Sequence, residues 1–367
     1  MNTENLHTLI DRYEDNYNSI NDSDHDEKFK WKAAGQFRRI WFEDPQARSL
    51  PFSERFRLAM KESSVLINNS MVSPTNGIVK MAEARPKEIE ALFQDVLVAP
   101  SSSAEEVQAH MDRFLEETEK IRQELFPQYY RYKQDRHAAS CYLSFFDPAH
   151  HYIYRYSEAE DFANYIEFGK DLGSGGDFHL EHYYEMADLV VDALGEHHAL
   201  IDSYDQLLKD APGYYYDPSL HLMAFDLMYC CRCYQFYHGL HHASKKDSLR
   251  AYTMQQLREK EEAQRREMIQ ALEDQIRALD VQLSEYRSLS LLGVTVRQRQ
   301  YGTGVVIAQK DENITVQFGD KKVSYIISSQ YPLRPRFEED DTIVAAYTSL
   351  AELRKKQETL YKELEKI

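Results

Sequence analysis

The sequence predicts a mainly α-helical protein, in which a helical amino-terminal domain is followed by a coiled-coil helical hairpin that carries a small β-barrel. Three observations support this fold class. Apolar residues recur at helical spacing through most of the first 240 residues. Heptad spacing follows in a segment rich in Glu, Gln, Arg and Leu. Short β-branched runs then alternate with turn residues. The predicted domains cover residues 1–244, 245–289, 290–337 and 338–367.

The first domain is predicted to open with a helix at residues 3–18 and a flexible join at 19–26. Apolar residues then fall near helical spacing, at Phe29, Trp31, Phe37, Ile40 and Trp41. Proline at a first helical turn and serine ahead of acidic residues mark later helix starts. The other predicted helices cover residues 52–67, 74–84, 86–97, 103–125, 158–168, 178–193, 197–209 and 218–238, and residues 139–156 form a shorter-ranged aromatic segment.

Two heptad patterns flank the predicted barrel. The first, spaced 4-3-4-3, consists of Leu272, Ile276, Leu279, Leu283 and Tyr286. The second, spaced alternately by three and four, consists of Ile343, Ala346, Leu350, Leu353, Gln357, Leu360, Leu364 and Ile367. Because adjacent elements tend to pair, we predict an antiparallel hairpin. Pairing across a homodimer is the alternative.

The barrel segment has its own turn signals. Gly302 and Gly304 bracket Thr303 where the strand is expected to bend, and turns are predicted at Asp311–Asn313 and Gly319–Asp320. The segment resembles small SH3-like or Tudor-like barrels, which carry a similar Tyr/Phe-Gly-x-Gly-x-Val turn. Such barrels bind DNA, RNA, peptides or their own chain, so the resemblance predicts a fold better than a ligand.

The barrel segment is basic, whereas the whole chain carries a net charge of −17. Between Gly293 and Arg336 there are seven basic and three acidic residues, a net of +4, which leaves −21 for the remainder. A basic region in an acidic protein is suited to phosphate, although a merely solvated barrel is the alternative. The predicted nucleic-acid-binding residues are Arg297, Arg299, Tyr301, Lys321, Lys322, Arg334 and Arg336.

The composition argues against a membrane protein or a disulfide-rich secreted one. No apolar run approaches the roughly 20 residues of a membrane span. Residues 1–5 have neither the basic region nor the apolar core of a signal peptide. Four cysteines do not describe a disulfide framework in a chain of this size. We therefore expect a cytoplasmic protein that does not bind membranes.

Several motifs in the first 240 residues resemble one bacterial module. The opening motifs are Glu27–Lys32 and Phe37–Trp41. The later ones are residues 66–70, 74–78, 85–93, 147–156 and 216–226. Their order is similar to the module found upstream of the AAA+ motor in McrB-type restriction GTPases, which implies a role in restriction or phage defence. No Gly-x4-Gly-Lys-Ser/Thr motif occurs in this sequence, so the resemblance implies a sensor, adaptor or targeting module without the nucleotide-driven motor.

One group of residues has the composition of a metal site. Cys230, Cys233, His238 and His241 form a Cys-x2-Cys-x4-His-x2-His pattern, which supplies the four donors of tetrahedral zinc. Buried thiols on an apolar helix explain the same cysteines, so both interpretations remain open. We predict no catalytic residue, metal or cofactor.

The predicted function is a non-catalytic recognition or adaptor subunit of a bacterial restriction or anti-phage defence system. It would bind nucleic acid or a partner protein, such as a motor or effector, through the carboxy-terminal barrel. The coiled coil could also form a homo-oligomer. One alternative is a metal-dependent hydrolase or nuclease with its site in the helical domain. The other is a structural coiled-coil assembly protein.

Overall fold

The computed structural model describes residues 1–68, 71–285, 290–310, 313–326, 336–337 and 342–366. This part of the chain is mainly helical, with a small antiparallel sheet near the carboxyl end. The mainly helical fold class is therefore confirmed. The chain divides into two compact units, Met1–Met254 and Gln255–Ile367. We call them the helical unit and the sheet unit.

The helical unit consists of short and medium helices. They are α1 (Thr3–Ile20), α2 (Phe29–Arg38), α3 (Pro45–Arg48), α4 (Phe52–Ala59), α5 (Ser64–Ile67), α6 (Pro74–Ala84), α7 (Pro86–Ala91), α8 (Ala104–Leu125), α9 (Arg136–Phe146), α10 (Tyr156–Tyr165), α11 (Leu180–Glu196), α12 (His198–Leu208) and α13 (His221–Cys233). The long helix α14 (Lys245–Glu285) begins in this unit and continues into the next.

Local capping explains why several of these helices start where the sequence predicts. Pro74 lies in the first turn of α6, where a missing N–H costs nothing. The Ser103 hydroxyl accepts a hydrogen bond from the backbone N–H of Glu106 at the start of α8. Asp135 accepts from the N–H of Ala138 and caps α9, a helix that was not predicted, since residues 139–156 were expected to form only a shorter-ranged aromatic segment. These starts depend on neighbouring residues alone.

Other predicted helices differ from the structure. The prediction of one helix at residues 52–67 was wrong, because the chain turns between Ala59 and Ser64 and forms two short helices. The predicted helix at 86–97 is α-helical only to Ala91 and continues as a π-helix, Leu92–Leu97. A second π-helix, Arg39–Glu43, extends α2. The predicted helix at 218–238 is shorter at both ends (His221–Cys233).

The helical unit has one extensive core in which aromatic rings are prominent. Trp41 stacks on Phe37 with centroids 5.2 Å apart, and it also contacts Phe93 and Phe52. Phe56 continues the cluster toward Tyr142, whose ring is fully buried. Edge-to-face and offset ring pairs add to the stabilisation from buried area. The abundance of aromatic residues in the sequence therefore serves largely to fill this core.

The sheet has five antiparallel strands in the order β4-β3-β2-β1-β5. They are β1 (Thr295–Gln298), β2 (Gly302–Lys310), β3 (Asn313–Phe318), β4 (Lys321–Ile326) and β5 (Arg336–Phe337). The pairing register shifts between Val306 and Ala308, which marks a β-bulge. The predicted turn at Gly319–Asp320 is confirmed, whereas Asp311 and Glu312 of the other turn lie outside the described residues.

One side of the sheet forms the core of the sheet unit. Its buried residues are Leu291, Val296, Val306, Ile314, Val316 and Phe318. Leu283 of α14 packs against this cluster. The Phe318 ring lies so close to Gly304 that a Cβ there would meet it at 2.5 Å. The second glycine of the predicted bend is therefore required by close packing.

The last helix, α15 (Thr342–Leu364), packs on α14 within the same chain. Leu272, Ile276 and Leu279 of α14 form a buried cluster with Leu360 of α15. The Gln357 side chain donates a 2.6 Å hydrogen bond to Asp280 Oδ1. Tyr286 and Ile367 of the predicted seams lie outside the described residues.

Among the residues that the structure describes, no helix combines the length and apolar character needed to cross a membrane.

Candidate nucleic-acid interface and a buried ion cluster

The face of the sheet opposite the core, which we call the outer face, carries two of the predicted cations. In β1, Val296 is buried and Arg297 is exposed, as alternation along a strand requires. Arg297 pairs with Thr303 of β2 on one side and Arg336 of β5 on the other. Residues directly opposite each other share a face, so Thr303 lies on the outer face beside Arg297.

The second outer-face cation lies on the far strand. Lys322 of β4 pairs with Gln317 of β3, which in turn pairs with Val305 of β2. Both Lys322 and Val305 are exposed. Since neighbouring strands lie about 4.8 Å apart, β4 and β1 are separated by about 14 Å. Lys322 and Arg297 can therefore contact different phosphates of one nucleic acid.

The remaining predicted residues do not share that face. Lys321 pairs with Phe318 on the core side, and its ammonium lies 5.7 Å from the centroid of the Tyr301 ring. That ring packs on Phe318 with centroids 5.5 Å apart. Arg299 lies in the turn between β1 and β2. The predicted set is thus divided between the outer face, the core side of the sheet and the turn between β1 and β2. Arg334 lies outside the described residues.

These basic side chains have no acidic partners in the described chain. None of Arg297, Arg299, Lys321 and Lys322 forms an ion pair with any residue that the structure describes. All four are exposed. Unpaired exposed cations can exchange their counterions for phosphates without first breaking an internal ion pair.

Between its cations, the outer face carries exposed aliphatic side chains and hydroxyl groups. Val305 is 42 % exposed and Ile307 is 43 % exposed. Thr315 and Ser324 face each other across β3 and β4 with their hydroxyl oxygens 3.2 Å apart. Phe318 of β3 and Tyr325 of β4 pack with the core. This lining favours contacts to a nucleic-acid backbone over base stacking, which needs exposed rings.

The helical unit contains a different concentration of charge, which we call the ion cluster. It is centred on Lys30 of α2, whose side chain is fully buried. The Lys30 ammonium donates to Asp226 Oδ1 at 2.5 Å and also to Glu27. Asp226 is fully buried on α13, and Glu27 is 6 % exposed. Charged groups this deep in a protein require such pairing, because desolvation is costly.

Two tyrosines complete the ion cluster. Tyr13 donates to Asp226 Oδ2 at 2.5 Å, and Tyr234 donates to Glu27 Oε1 at 2.8 Å. Burial acts to lower the pKa of Lys30, but attraction to Asp226 and Glu27 outweighs it and raises that pKa above its ordinary value. Lys30 therefore keeps its charge and is unsuited to act as a nucleophile.

The ion cluster also contains the residues whose arrangement most resembles a set of metal ligands. Among the described residues, one group of three candidate ligands lies within 4.8 Å, namely Glu27, Asp226 and Cys230. The Lys30 ammonium already bonds to both of its carboxylates, so this cation occupies the role that a metal would have. Cys230, Cys233, His238 and His241 do not form such a group, because their ligand atoms do not all lie within 4.8 Å of one another in this structure.

Sequence reasoning missed the ion cluster, although one signal was present. Asp226 is a single acid in the otherwise apolar run from Leu222 to Cys231. A carboxylate at such a position must find a buried partner or lose its charge. Its partner Lys30 is 196 residues away, so the sequence could show the need for a partner but not its identity.

No protein-family model, curated protein or solved structure matches this chain. The similarity to McrB-type modules therefore stays a prediction from the sequence.

Proposed function

We propose that this protein is a non-catalytic recognition or adaptor subunit that binds nucleic acid through the outer face of its sheet. The observation that supports it most directly is the pair of exposed cations without ion partners, Arg297 and Lys322, on one face of the sheet. The net charge of +4 in this segment, against −21 elsewhere, directs a polyanion to the sheet.

The finer parts of the proposal concern the fold and the biological setting. The sheet closes into an SH3-like barrel, and α14 and α15 form an antiparallel coiled-coil hairpin. The protein acts in the cytoplasm with a partner motor or effector in a restriction or phage-defence system. The biological setting rests on the sequence resemblance alone.

The test measures binding of full-length protein to a fluorescent duplex DNA by anisotropy over a salt series. The double variant Arg297→Ala/Lys322→Ala should bind more weakly. Its plot of log affinity against log salt should be less steep by about 2, because each lost phosphate contact removes about 0.9 from the slope.

A matched control removes the same two charges from the helical unit. Lys87 and Arg113 are exposed and have no ion pair among the described residues. Lys87→Ala/Arg113→Ala should leave affinity and salt slope close to those of the wild type. Equal losses in the two double variants would mean that net charge, and not the outer face, governs binding. Absence of wild-type binding even at low salt would exclude duplex DNA as the ligand.

A further inference from the structure

The segment that follows α8 exposes two adjacent aromatic rings. Tyr129 is 55 % exposed and Tyr130 is 64 % exposed. The backbone forms a single 3₁₀ turn at Tyr130–Tyr132, before α9 begins. We call residues 126–133 the tyrosine turn. Rings exposed to this extent do not contribute to the core of the helical unit, so they are available to a partner.

Hydrogen bonds hold the backbone of the tyrosine turn in one conformation. The N–H of Tyr132 donates to the carbonyl oxygen of Tyr129 at 3.1 Å. The carbonyl oxygen of Arg131 accepts from the N–H of Ser73 at 2.7 Å. A Cβ at Gly77 would meet the Tyr132 carbonyl oxygen at 2.3 Å, so α6 packs closely against the turn. The turn is therefore ordered before any partner arrives, which limits the ordering cost of binding.

The exposed rings also have support from neighbouring side chains. The Tyr129 and Tyr132 rings are nearly parallel, with centroids 5.5 Å apart and planes inclined by 11°. Phe126 packs edge-on against both rings. The Lys133 ammonium lies 5.6 Å from the centroid of the Tyr130 ring. The exposed part of each ring can therefore stack on a planar group, and beside Tyr130 a cation is already in place.

The tyrosine turn contains two cations and no acid. Arg131 and Lys133 are exposed, and neither forms an ion pair with any residue that the structure describes. Glu119 of α8, whose charge acts on Lys133, already accepts from Arg122 at 2.8 Å. Asp135 accepts a backbone hydrogen bond as the cap of α9. Two uncompensated positive charges therefore lie beside the exposed rings.

We propose that the tyrosine turn binds a single-stranded polynucleotide. Unpaired bases stack on Tyr129 and Tyr130, while Arg131 and Lys133 contact the adjacent phosphates. Every base has an aromatic face, and a duplex buries those faces between its base pairs, so exposed rings select unpaired bases. The cations favour this polyanion over an uncharged peptide, which would gain from the rings alone. The proposal does not rest on nucleic-acid binding by the outer face of the sheet.

The test measures the anisotropy of fluorescent deoxycytidine and cytidine strands of about 12 nucleotides. The protein is the full-length Arg297→Ala/Lys322→Ala variant, which lacks the two cations of the outer face. We expect saturable binding at low salt, and the tighter of the two strands identifies DNA or RNA as the source. An abasic strand of equal length keeps every phosphate and should bind about tenfold or more weakly, because it offers nothing to stack. Equal binding of intact and abasic strands, or no saturable binding of the intact ones, would overturn the proposal.

Substitutions of the rings, made in the same background, locate the site. Tyr129→Ala and Tyr130→Ala each remove one exposed ring and should weaken binding about fivefold or more. Tyr129→Phe keeps the ring and should leave affinity unchanged. The matched control is Tyr361→Ala, at a tyrosine of α15 that is 46 % exposed. Background affinity in both alanine variants of the turn, or an equal loss in Tyr361→Ala, would refute the assignment.

Substitution of the cations tests the phosphate contacts separately. In Arg131→Ala/Lys133→Ala the plot of log affinity against log salt should be less steep by about 1.4, because each phosphate contact to a single strand contributes about 0.7. Lys87→Ala/Arg113→Ala removes two exposed charges from the same unit and should leave the slope unchanged. The same slope in both double variants would contradict phosphate contact at the tyrosine turn.

Discussion

The helical unit and the sheet unit place their basic residues in opposite environments. In the helical unit Lys30 is fully buried between Asp226 and Glu27. In the sheet unit Arg297 and Lys322 are exposed and have no ion partner among the described residues. A buried paired cation contributes to the native fold, whereas an exposed unpaired one is available to a ligand. Lys30 is therefore part of the packed interior of the fold, whereas Arg297 and Lys322 are available to bind a ligand.

The same contrast holds for the acidic residues. Surface carboxylates of the helical unit neutralise nearby cations, as Glu124 does with Arg85 and Glu185 with Lys170. On the described part of the sheet unit's strands there is no acidic residue, so its cations stay uncompensated there. Substitutions in the two units should therefore affect different properties, which the following predictions test.

The largest effect is expected when the ion cluster loses one carboxylate. Asp226→Asn leaves the Lys30 ammonium buried with Glu27 as its only carboxylate, which should lower the free energy of unfolding by about 3–5 kcal/mol. Urea unfolding followed by tryptophan fluorescence measures this selectively, because Trp31 and Trp41 are the only tryptophans and both lie in the helical unit.

The control for this prediction is an exposed pair in the same unit. Glu185→Gln breaks the ion pair with Lys170 and should cost no more than about 1 kcal/mol. Neutralising the whole cluster, in Lys30→Met/Asp226→Leu/Glu27→Gln, should restore much of the lost stability, because no buried charge is then left without its partner. Similar costs for Asp226→Asn and Glu185→Gln would contradict the role assigned to burial.

A smaller effect, confined to the other unit, is expected at the tight packing beneath the sheet. Gly304→Ala would place a Cβ 2.5 Å from the Phe318 ring and 2.7 Å from the Gln317 carbonyl oxygen. Overpacking of this kind costs about 1–3 kcal/mol. Hydrogen exchange of the β2 and β3 amides should accelerate, while tryptophan-detected unfolding of the helical unit should not change.

Its control is Thr303→Ala, one residue earlier on β2 and exposed on the outer face. The exchange rates in that variant should stay near those of the wild type. Amide exchange in Gly304→Ala as slow as in the wild type would rule out the close Gly304–Phe318 contact.

The smallest effect is expected at Tyr17, whose hydroxyl is buried and has no hydrogen-bond partner among the described residues. Burial raises the pKa of this phenol. Above about pH 10 the unfolded chain loses a proton that the folded chain keeps, so this phenol's contribution to stability falls as pH rises. Tyr17→Phe should make the alkaline decline shallower by about 1.4 kcal/mol per pH unit. Near pH 7 the variant should gain about 1 kcal/mol, because no buried hydroxyl is left unsatisfied.

Urea unfolding of Tyr17→Phe, followed by tryptophan fluorescence between about pH 7 and about pH 11, measures both quantities. The exposed Tyr129 provides the comparison, because Tyr129→Phe should change neither. An alkaline slope identical to that of the wild type would mean that Tyr17 ionises as easily in the folded protein as in the unfolded chain.

The sequence could predict elements whose signals are local. Pro74 and Ser103 act on the turns that contain or follow them, so α6 and α8 begin at or within one residue of the predicted positions. The helix predicted at residues 52–67 had no such signal at its centre. Apolar periodicity continues through Met60 and Leu66, so it predicts one continuous helix. In the structure both residues are buried, but the chain turns between them, and periodicity alone does not reveal such a turn.

The candidate site shows the same division. Composition alone located a basic segment, and alternation of β-branched residues indicated strands. Neither showed which lysine lies on which side. Lys321 lies on the side of the sheet where Tyr301 packs, whereas Lys322 lies on the outer face with Arg297. That depends on the register of β4 against β3, which pairs Lys321 with the buried Phe318. A shift by one residue would exchange the two lysines.

The sequence by itself determined the helical class, the position of the small sheet and its excess of basic residues, because periodicity, caps and composition act over a few neighbours. Only the tertiary structure decided which charges are buried together and which remain available to a ligand. Lys30 and Asp226 are 196 residues apart, and their pairing arises from the packing of α2 and α13. The physical reason is that desolvation and ion pairing depend on distance in space, which local sequence patterns do not encode.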